Sequence, residues 1–229
     1  MGARTPLMGL DSTPERMRSV RLDHISYAAG PDGIAAAAQR LGNALGAGFT
    51  DGGMHPRFGT RNFVLPLAGG VYLEVVGALD HPASDKAPFG QAVKQRTAAG
   101  GGWLAWVIAV DDIAPFEHRL GREAVAGHRR RPDGIELKWR QVGVLDVLDD
   151  PALPFFVEWD CPPAHHPAAG GGGASPAIEQ VEICGDPDRV AEWLGTPLEH
   201  KVQVQWVDDD QPGVVAVHFS TPRGNVRID

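Results

Sequence analysis

Apolar and polar positions follow two periods along the chain, one typical of strands and one typical of helices. Extended segments are predicted at residues 20–28, 49–50, 62–67 and 71–76, where apolar residues are bounded by glycine-containing turns. Between the first two, apolar residues recur at helical spacing over residues 34–45. The predicted order is therefore strand, helix, strand, strand, strand.

This order of elements occurs twice more. The second copy comprises a strand at residues 103–110, a helix at 113–120, and strands at 124–131, 135–141 and 155–159. The third comprises a strand at 178–183, a helix that starts after Asp186-Pro187, and strands at 202–207, 214–221 and 225–228. A repeated unit explains this pattern, because one such unit leaves an apolar sheet face that needs a partner.

The repeats divide the chain into a tail, a paired domain, a linker and a third unit. Residues 1–19 are predicted to be a disordered tail, since they contain no apolar run. The units at residues 20–80 and 101–162 are expected to pair into one domain, 20–162. Residues 163–176 contain four consecutive glycines and predict a flexible linker. The third unit spans residues 177–229.

Composition narrows the classes of partner. With 21 Lys and Arg against 29 Asp and Glu, the net charge of −8 repels phosphate backbones, so nucleic acid is not an expected partner. No stretch approaches the roughly 18 apolar residues of a membrane span, and the first twenty residues resemble neither a signal nor an anchor. Cys161 and Cys184 have no paired spacing and predict reduced thiols. We expect a cytoplasmic monomer or homodimer.

Two of the predicted strands each carry one candidate metal ligand. His24 lies in the first strand and Glu74 in the strand that closes the first unit. Successive side chains of a strand point to opposite faces, so each of these residues belongs to a defined face. If the two strands pair, an imidazole and a carboxylate converge on one surface, which suits a divalent cation.

A unit that opens on Leu22-Asp-His-Ile25 and closes on Tyr72-Leu-Glu-Val-Val76 resembles the units of the vicinal oxygen chelate superfamily. The chain looks more narrowly like the bacterial glyoxalase-like domain proteins. The segments that carry this likeness are Gly53-Met-His55-Pro-Arg-Phe-Gly59-Thr60-Arg-Asn62, Trp103-Leu-Ala-Trp106, Arg131-Pro-Asp-Gly134-Ile-Glu-Leu-Lys-Trp139 and Leu153-Pro-Phe-Phe-Val-Glu-Trp-Asp160.

The resemblance implies an α+β fold in which repeated βαβββ units form a cupped, incomplete barrel around a metal, with a third βαβββ-like unit at the C-terminus. Superfamily ligands come from the first and last strands of each unit. Carried over by position, they are His24, Glu74 and Glu158, with Mn, Fe, Ni or Zn as candidate ions. The fourth position falls at Trp103 or Leu104, neither of which binds metal. Glu158 is alternatively a salt-bridge partner.

Further residues are candidates for catalysis and substrate binding. Glu74 and His55 are the candidate catalytic residues, and His55 is alternatively a third metal ligand or a solvated loop residue. The adjacent histidines at positions 165 and 166 are expected to be exposed. The candidate substrate-binding residues are Asn62, Tyr72, Trp103, Trp106, Arg131, Trp139 and Phe156. For each of them the alternative role is core packing, turn formation or solvation.

The functional hypothesis is a metal-dependent lyase, isomerase or dioxygenase that acts on a small oxygen-rich substrate. The alternative is a metal-free protein that binds or sequesters a small molecule, as the bleomycin-binding members of the superfamily do. The remaining interpretation is that the third unit covers the open sheet face and makes the protein chiefly structural. The sequence contains no phosphate-binding glycine loop and no serine hydrolase motif.

Overall fold

The computed structural model describes residues 20–199 and 202–229. The tail predicted at residues 1–19 therefore lies outside the described residues. The first unit comprises β1 (Val20–Ala28), α1 (Ile34–Leu45), β2 (Thr50–His55), β3 (Thr60–Pro66) and β4 (Tyr72–Ala78). Its helix buries one face rich in alanine and leucine and ends at Gly46, whose φ of 69° lies in the region that glycine adopts without strain.

The second unit repeats this arrangement. It comprises β5 (Gly102–Ala109), α4 (Ala114–Leu120), β6 (Val125–Arg130), β7 (Glu136–Val142), α5 (Val144–Asp149) and β8 (Phe155–Asp160). Between the two units lie α2 (Pro82–Lys86) and α3 (Pro88–Ala98), two helices that the sequence pattern did not predict. The apolar side chains of Phe89 and Val93 on α3 pack against the inner wall of the sheet.

Eight strands close into a barrel in the order β1-β4-β3-β2-β6-β7-β8-β5, and β5 pairs back onto β1. The two junctions between units, β1 with β5 and β2 with β6, are both antiparallel. The two units are thus related by an approximate two-fold arrangement. The predicted α+β fold of repeated βαβββ units is confirmed, and the barrel is closed where an incomplete one was expected, which leaves fewer unpaired strand edges.

The third unit is confirmed as a βαβββ-like element order, but its sheet is arranged differently. Its elements are β9 (Ala177–Cys184), α6 (Pro187–Leu194), the short β10 (Leu198–Glu199), β11 (Gln203–Val207), β12 (Gly213–Thr221) and β13 (Gly224–Ile228). They form a separate sheet in the order β11-β9-β12-β13, while β10 pairs with β1. Apolar residues of this sheet pack on the outer face of the barrel, forming one continuous core. None of the helices in residues 20–199 and 202–229 is long and apolar enough to cross a membrane.

Candidate functional site

The barrel encloses a narrow cavity of about 30 Å³, enough for one or two water molecules. Side chains of alternate residues on the barrel strands point into it, and α3 contributes one aromatic ring. The lining residues are His24, His55, Phe58, Asn62, Tyr72, Glu74, Phe89, Arg129, Trp139, Gln141, Phe155, Val157 and Trp159.

A β-bulge in β1 brings two consecutive polar side chains together. The pairing of β1 with β5 shifts between Leu22 and His24, so Asp23 is the extra residue of the bulge. Strict alternation would place Asp23 and His24 on opposite faces. Instead, the Nδ1 atom of His24 lies 2.7 Å from Oδ2 of Asp23, and both side chains are buried.

Asp23 is the centre of a buried hydrogen-bond cluster. Besides His24, it contacts Nε2 of His166 at 3.1 Å and accepts from Nε1 of Trp159 at 3.2 Å. Burial on its own would raise the pKa of Asp23, but hydrogen bonds to His166 and His24 outweigh it and hold that pKa well below its ordinary value. The ionised carboxylate fixes the proton of His24 on Nδ1 and leaves Nε2 free to accept a proton or bind a metal.

Glu74 lies opposite the free nitrogen of His24, with Oε2 3.8 Å from Nε2. Both of its oxygens accept short hydrogen bonds, 2.5 Å from Oγ of Ser26 and 2.6 Å from Nδ2 of Asn62. Burial opposes ionisation, yet the pKa of Glu74 is lowered by the imidazoles of His24 and His55 and by these two hydrogen bonds. Glu74 is therefore an oriented, ionised carboxylate inside the barrel.

Arg129 is linked to this cluster through the side-chain amide of Asn62. Its Nη1 atom donates to Oδ1 of Asn62 at 2.8 Å and to the carbonyl oxygen of Gly52 at 2.6 Å. The Arg129 side chain is almost completely buried, and burial lowers its pKa. The Asn62 side chain thus bridges the guanidinium of Arg129 and the carboxylate of Glu74.

His55 is buried at the end of β2, contrary to the alternative of a solvated loop residue. Its Nδ1 atom lies 2.9 Å from Oγ1 of Thr60, and its ring packs edge-on against Trp139. Burial lowers the pKa of His55 to about 3, so the ring is neutral at pH 7. A group with so low a pKa is a weak general base, which argues against that predicted role.

The cavity is polar where β1 and β4 line it and apolar where β5 and β8 line it, while Arg129 and Gln141 add polar groups from β6 and β7. His24 of β1 pairs with Tyr72 of β4, and Ser26 with Glu74. At the equivalent positions of the second unit, Val107 pairs with Phe155, and Ala109 with Val157. Register therefore places Val107 and Val157 where the first unit has His24 and Glu74.

The structure corrects the position carried over for Glu158. Residues Phe155, Val157 and Trp159 of β8 line the cavity, so Glu158 faces outward by alternation. Its Oε2 atom accepts from the backbone N–H of Ile113 at 3.1 Å. The equivalent of Glu74 is one residue earlier than predicted, and the equivalent of His24 is Val107 and not Trp103 or Leu104.

Six of the predicted site residues line the cavity, namely His24, His55, Asn62, Tyr72, Glu74 and Trp139. The ring of Tyr72 stacks on that of His24 with centroids 4.4 Å apart, and burial raises the pKa of Tyr72 well above its ordinary value. The structure thus brings the polar candidates of the first unit into one cluster.

Four predicted substrate-binding residues lie elsewhere. Trp103, Trp106 and Phe156 face outward, into the core that the barrel shares with the third unit. The indole nitrogens of Trp103 and Trp106 donate to the backbone carbonyls of Ile228 and Ala152. Arg131 lies beyond the end of β6 and pairs with Asp133 at 2.6 Å, so it does not reach the cavity.

Residues 163–176 cover the barrel at the polar half of the site. Ala168 is buried against Val64 and Tyr72. A Cβ atom at Gly171 would collide with the carbonyl oxygen of Leu67, so this segment lies directly on the barrel. His166 contacts Asp23, whereas both histidines of this segment were expected to be exposed. Interactions with the barrel therefore hold a glycine-rich segment in place.

Within the described residues, no group of three or more His, Cys, Asp and Glu side chains is arranged to hold a metal ion. The donors that fit a divalent ion are Nε2 of His24 and one oxygen of Glu74. Each is supported by a further partner, Asp23 for the imidazole and Ser26 or Asn62 for the carboxylate, as is usual for metal ligands. The first unit thus offers two protein ligands.

Asp23, Ser26, Gln141 and His166 are polar contributors that sequence reasoning did not assign to the site. Arg129 was considered only as part of the run 129–131, which could bind a carboxylate or phosphate or be a solvated hairpin arm. Ser26 was identifiable from the alternation that it shares with His24. Arg129 was identifiable because it pairs directly with Leu137, which lies on the same face of β7 as Trp139. No sequence signal marks the bulge at Asp23.

Comparison with known proteins identifies the family. A family model described as a glyoxalase-like domain matches residues 22–198. No curated protein matches the chain. A hypothetical protein from Staphylococcus aureus is structurally similar, with 16% identity and a TM-score of 0.58, covering 92% of this chain and 86% of that chain.

Methylmalonyl-CoA epimerases are also similar. The enzyme from Mycobacterium tuberculosis has 15% identity and a TM-score of 0.41, covering 61% of this chain and 86% of its own. A Streptomyces coelicolor variant in complex with 2-nitronate-propionyl-CoA has 15% identity and a TM-score of 0.41, covering 63% and 99%. At such identities these likenesses concern the fold alone. Because the family match spans more than half of the chain, the protein belongs to the glyoxalase-like domain family of the vicinal oxygen chelate superfamily.

Proposed function

We propose that the protein is an enzyme that transfers a proton on a small oxygen-bearing substrate in the barrel cavity, with His24 and Glu74 as the reacting pair. The observation that supports this proposal is the buried alignment of Asp23, His24 and Glu74. An ionised carboxylate on each side of an imidazole, inside a narrow buried cavity, is typical of general acid–base sites.

His24 is the group that would exchange the proton. Its Nδ1 proton is held by Asp23, so Nε2 presents its lone pair to the cavity. Protonation at Nε2 would produce an imidazolium between two carboxylates, which stabilise the positive charge. Glu74 cannot turn away freely, because Ser26 and Asn62 hold both of its oxygens.

In a metal-bound form, Nε2 of His24 and one oxygen of Glu74 would hold a divalent ion such as Mn, Fe, Ni or Zn. Nε2 has one lone pair, so His24 would then be a ligand and the other oxygen of Glu74 would exchange the proton. Such an ion would act as a Lewis acid on a substrate oxygen. The two protein ligands leave several positions for substrate and water. This ligand number favours lyase or isomerase chemistry over dioxygenation, which typically uses two histidines and a carboxylate.

The alternative function is metal-free binding of a small molecule. It is favoured by the apolar wall that β5 and β8 form, where Val107, Phe155 and Val157 carry no polar group. Under this alternative, His24 and Glu74 orient a ligand by hydrogen bonds. The two functions differ in whether the protein binds a stoichiometric metal and turns over a substrate.

Metal analysis of protein purified without a histidine tag separates the two functions. We expect one bound divalent ion per chain, lost in His24→Ala and Glu74→Gln and retained in the control Glu158→Gln, whose side chain lies outside the cavity. Metal retained in both site variants would contradict the assignment of these ligands. Metal-free protein that binds a ligand without converting it would support the alternative.

A further inference from the structure

Arg129 is a buried cation without an acidic partner in direct contact. It lies on β6 with 2% of its surface exposed, and it lines the same cavity as His24 and Glu74. No carboxylate in residues 20–199 and 202–229 lies within 4.0 Å of its nitrogens. Buried charges are normally paired, since an unpaired one destabilises the fold. The burial of this charge without a carboxylate partner therefore suggests a functional role for Arg129.

Hydrogen bonds satisfy only part of the guanidinium. Nη1 donates to the carbonyl oxygen of Gly52 and to Oδ1 of Asn62, which are both neutral acceptors. Among the described residues, Nη1 makes both of the side-chain hydrogen bonds of Arg129, and Nε and Nη2 make none, although neither of these two atoms is fully enclosed. A guanidinium has five N–H donors in a planar fork, so several of them remain available to a ligand.

The negative charge of Glu74 lies in the same cavity but is not in contact with Arg129. Both oxygens of Glu74 are engaged, one by Ser26 and one by Asn62. The Asn62 amide separates the two charges, with its oxygen toward Arg129 and its nitrogen toward Glu74. The cavity thus contains a negative end near His24 and a positive group beyond Asn62.

The neighbouring strand leaves space for this arrangement. A Cβ atom at Gly52 would collide with Nη1 of Arg129 and with Oδ1 of Asn62. Glycine at this position lets the guanidinium approach the backbone of β2 closely. The site is therefore formed by strands of both units, β2 and β3 from the first and β6 from the second.

We propose that Arg129 binds the carboxylate of a small acid, which makes the substrate class a 2-oxo or 2-hydroxy acid. A carboxylate matches the guanidinium fork in shape and charge and would neutralise the buried cation. The 2-oxo or 2-hydroxy oxygen of the acid would point toward His24 and Glu74. That assignment rests on the proposed function, whereas the contact of the carboxylate with Arg129 does not. The cavity of about 30 Å³ restricts the ligand to few atoms and requires nearby side chains to shift on binding.

The test is calorimetric titration of chelator-treated protein with pyruvate and with its neutral analogue pyruvamide. We expect pyruvate to bind at least about tenfold more tightly. Arg129→Lys should remove most of that preference, because lysine keeps the charge but loses the fork. Arg130→Gln, at an exposed neighbour on the same strand, should retain it.

The outcomes distinguish this proposal from the proposed function. Glu74→Gln abolishes the proposed proton transfer, yet it should retain the preference for pyruvate, because Arg129 is unchanged. Equal binding of the two compounds by the wild-type protein, or no binding of pyruvate at millimolar concentrations, would overturn the proposal. This wild-type comparison stands even if Arg129→Lys fails to fold.

Discussion

His24 of β1 and Val107 of β5 are direct cross-strand partners at equivalent positions of the two repeats. Directly opposed residues share a face of the sheet, so both side chains point into the barrel. The repeats thus preserve a backbone framework while their chemistry differs, with an imidazole in one and an isopropyl group in the other. The result is that the polar pair of His24 and Glu74 lies beside an apolar wall. Substitutions around His24 can therefore test this arrangement.

Asp23→Asn tests the buried carboxylate that orients His24. The depressed pKa of Asp23 means that the unfolded chain binds its proton more readily, so Asp23 stabilises the fold above pH ~4 and loses that effect as pH falls. We expect Asp23→Asn to lower the free energy of unfolding at pH 7 by about 1–3 kcal/mol and to flatten its acid dependence. Urea unfolding between about pH 3 and pH 7 measures both.

The control for that variant is Asp160→Asn, at an exposed carboxylate that ends β8. It should leave the acid dependence of stability unchanged. The charged and titratable groups around Asp23 are His24 and His166, which contact it, and Glu74, which lies on the other side of His24. Parallel stability curves for wild type and Asp23→Asn would contradict the cluster described for Asp23.

Most of the fold could be predicted from the sequence because periodicity and turn residues were consistent within each repeat. The helices α2 and α3 were missed, since residues 82–98 include a proline at the start of each helix and only a weak apolar stripe. Closure of the barrel depends on pairing between distant strands. No local pattern encodes that pairing.

The candidate site could be predicted only in its first half. Alternation grouped His24 with Glu74, because the pairing of β1 with β4 runs without a shift from His24 onward. It failed for Asp23, where the bulge changes the direction of one side chain, and for Glu158, where a shift of one residue reverses the face. Such shifts depend on cross-strand pairing, which the sequence alone does not fix.

His55 gives a second pH prediction. Its pKa falls to about 3 on burial from the ordinary 6.5, so below pH ~6.5 the unfolded chain binds a proton that the folded chain does not. The contribution of neutral His55 to the free energy of unfolding is fully present above pH ~6.5. As the pH falls below that value, the free energy of unfolding decreases by up to about 1.4 kcal/mol per pH unit. His55→Gln should reduce this slope between about pH 4 and pH 6, as measured by urea unfolding. His118→Gln, at an exposed site on α4, is the matched control and should keep the slope.

The segment that covers the cavity can be displaced by one methyl group. Gly171→Ala places a Cβ atom against the carbonyl oxygen of Leu67, so residues 163–176 should lose contact with the barrel. Hydrogen exchange of these residues should become faster, and ligand association should accelerate if the segment limits access. Gly172→Ala is the control, because nothing lies within 4 Å of its Cβ position. Equal exchange in both variants would show that the segment does not depend on this close approach.

The position of Val107 opposite His24 predicts that a metal ligand introduced on β5 would strengthen metal binding. Val107→His places a second imidazole directly across from His24 on the same face of the sheet, next to Glu74. Without metal, this variant should be less stable than wild type by about 1–3 kcal/mol, because a polar ring replaces a buried apolar side chain. Zinc should restore that stability, raising the melting temperature of Val107→His more than that of wild type. Val107→Asn, which adds polarity with a poorer zinc ligand, separates ligation from polarity. If zinc stabilises the histidine and asparagine variants equally, residue 107 does not face the space between His24 and Glu74.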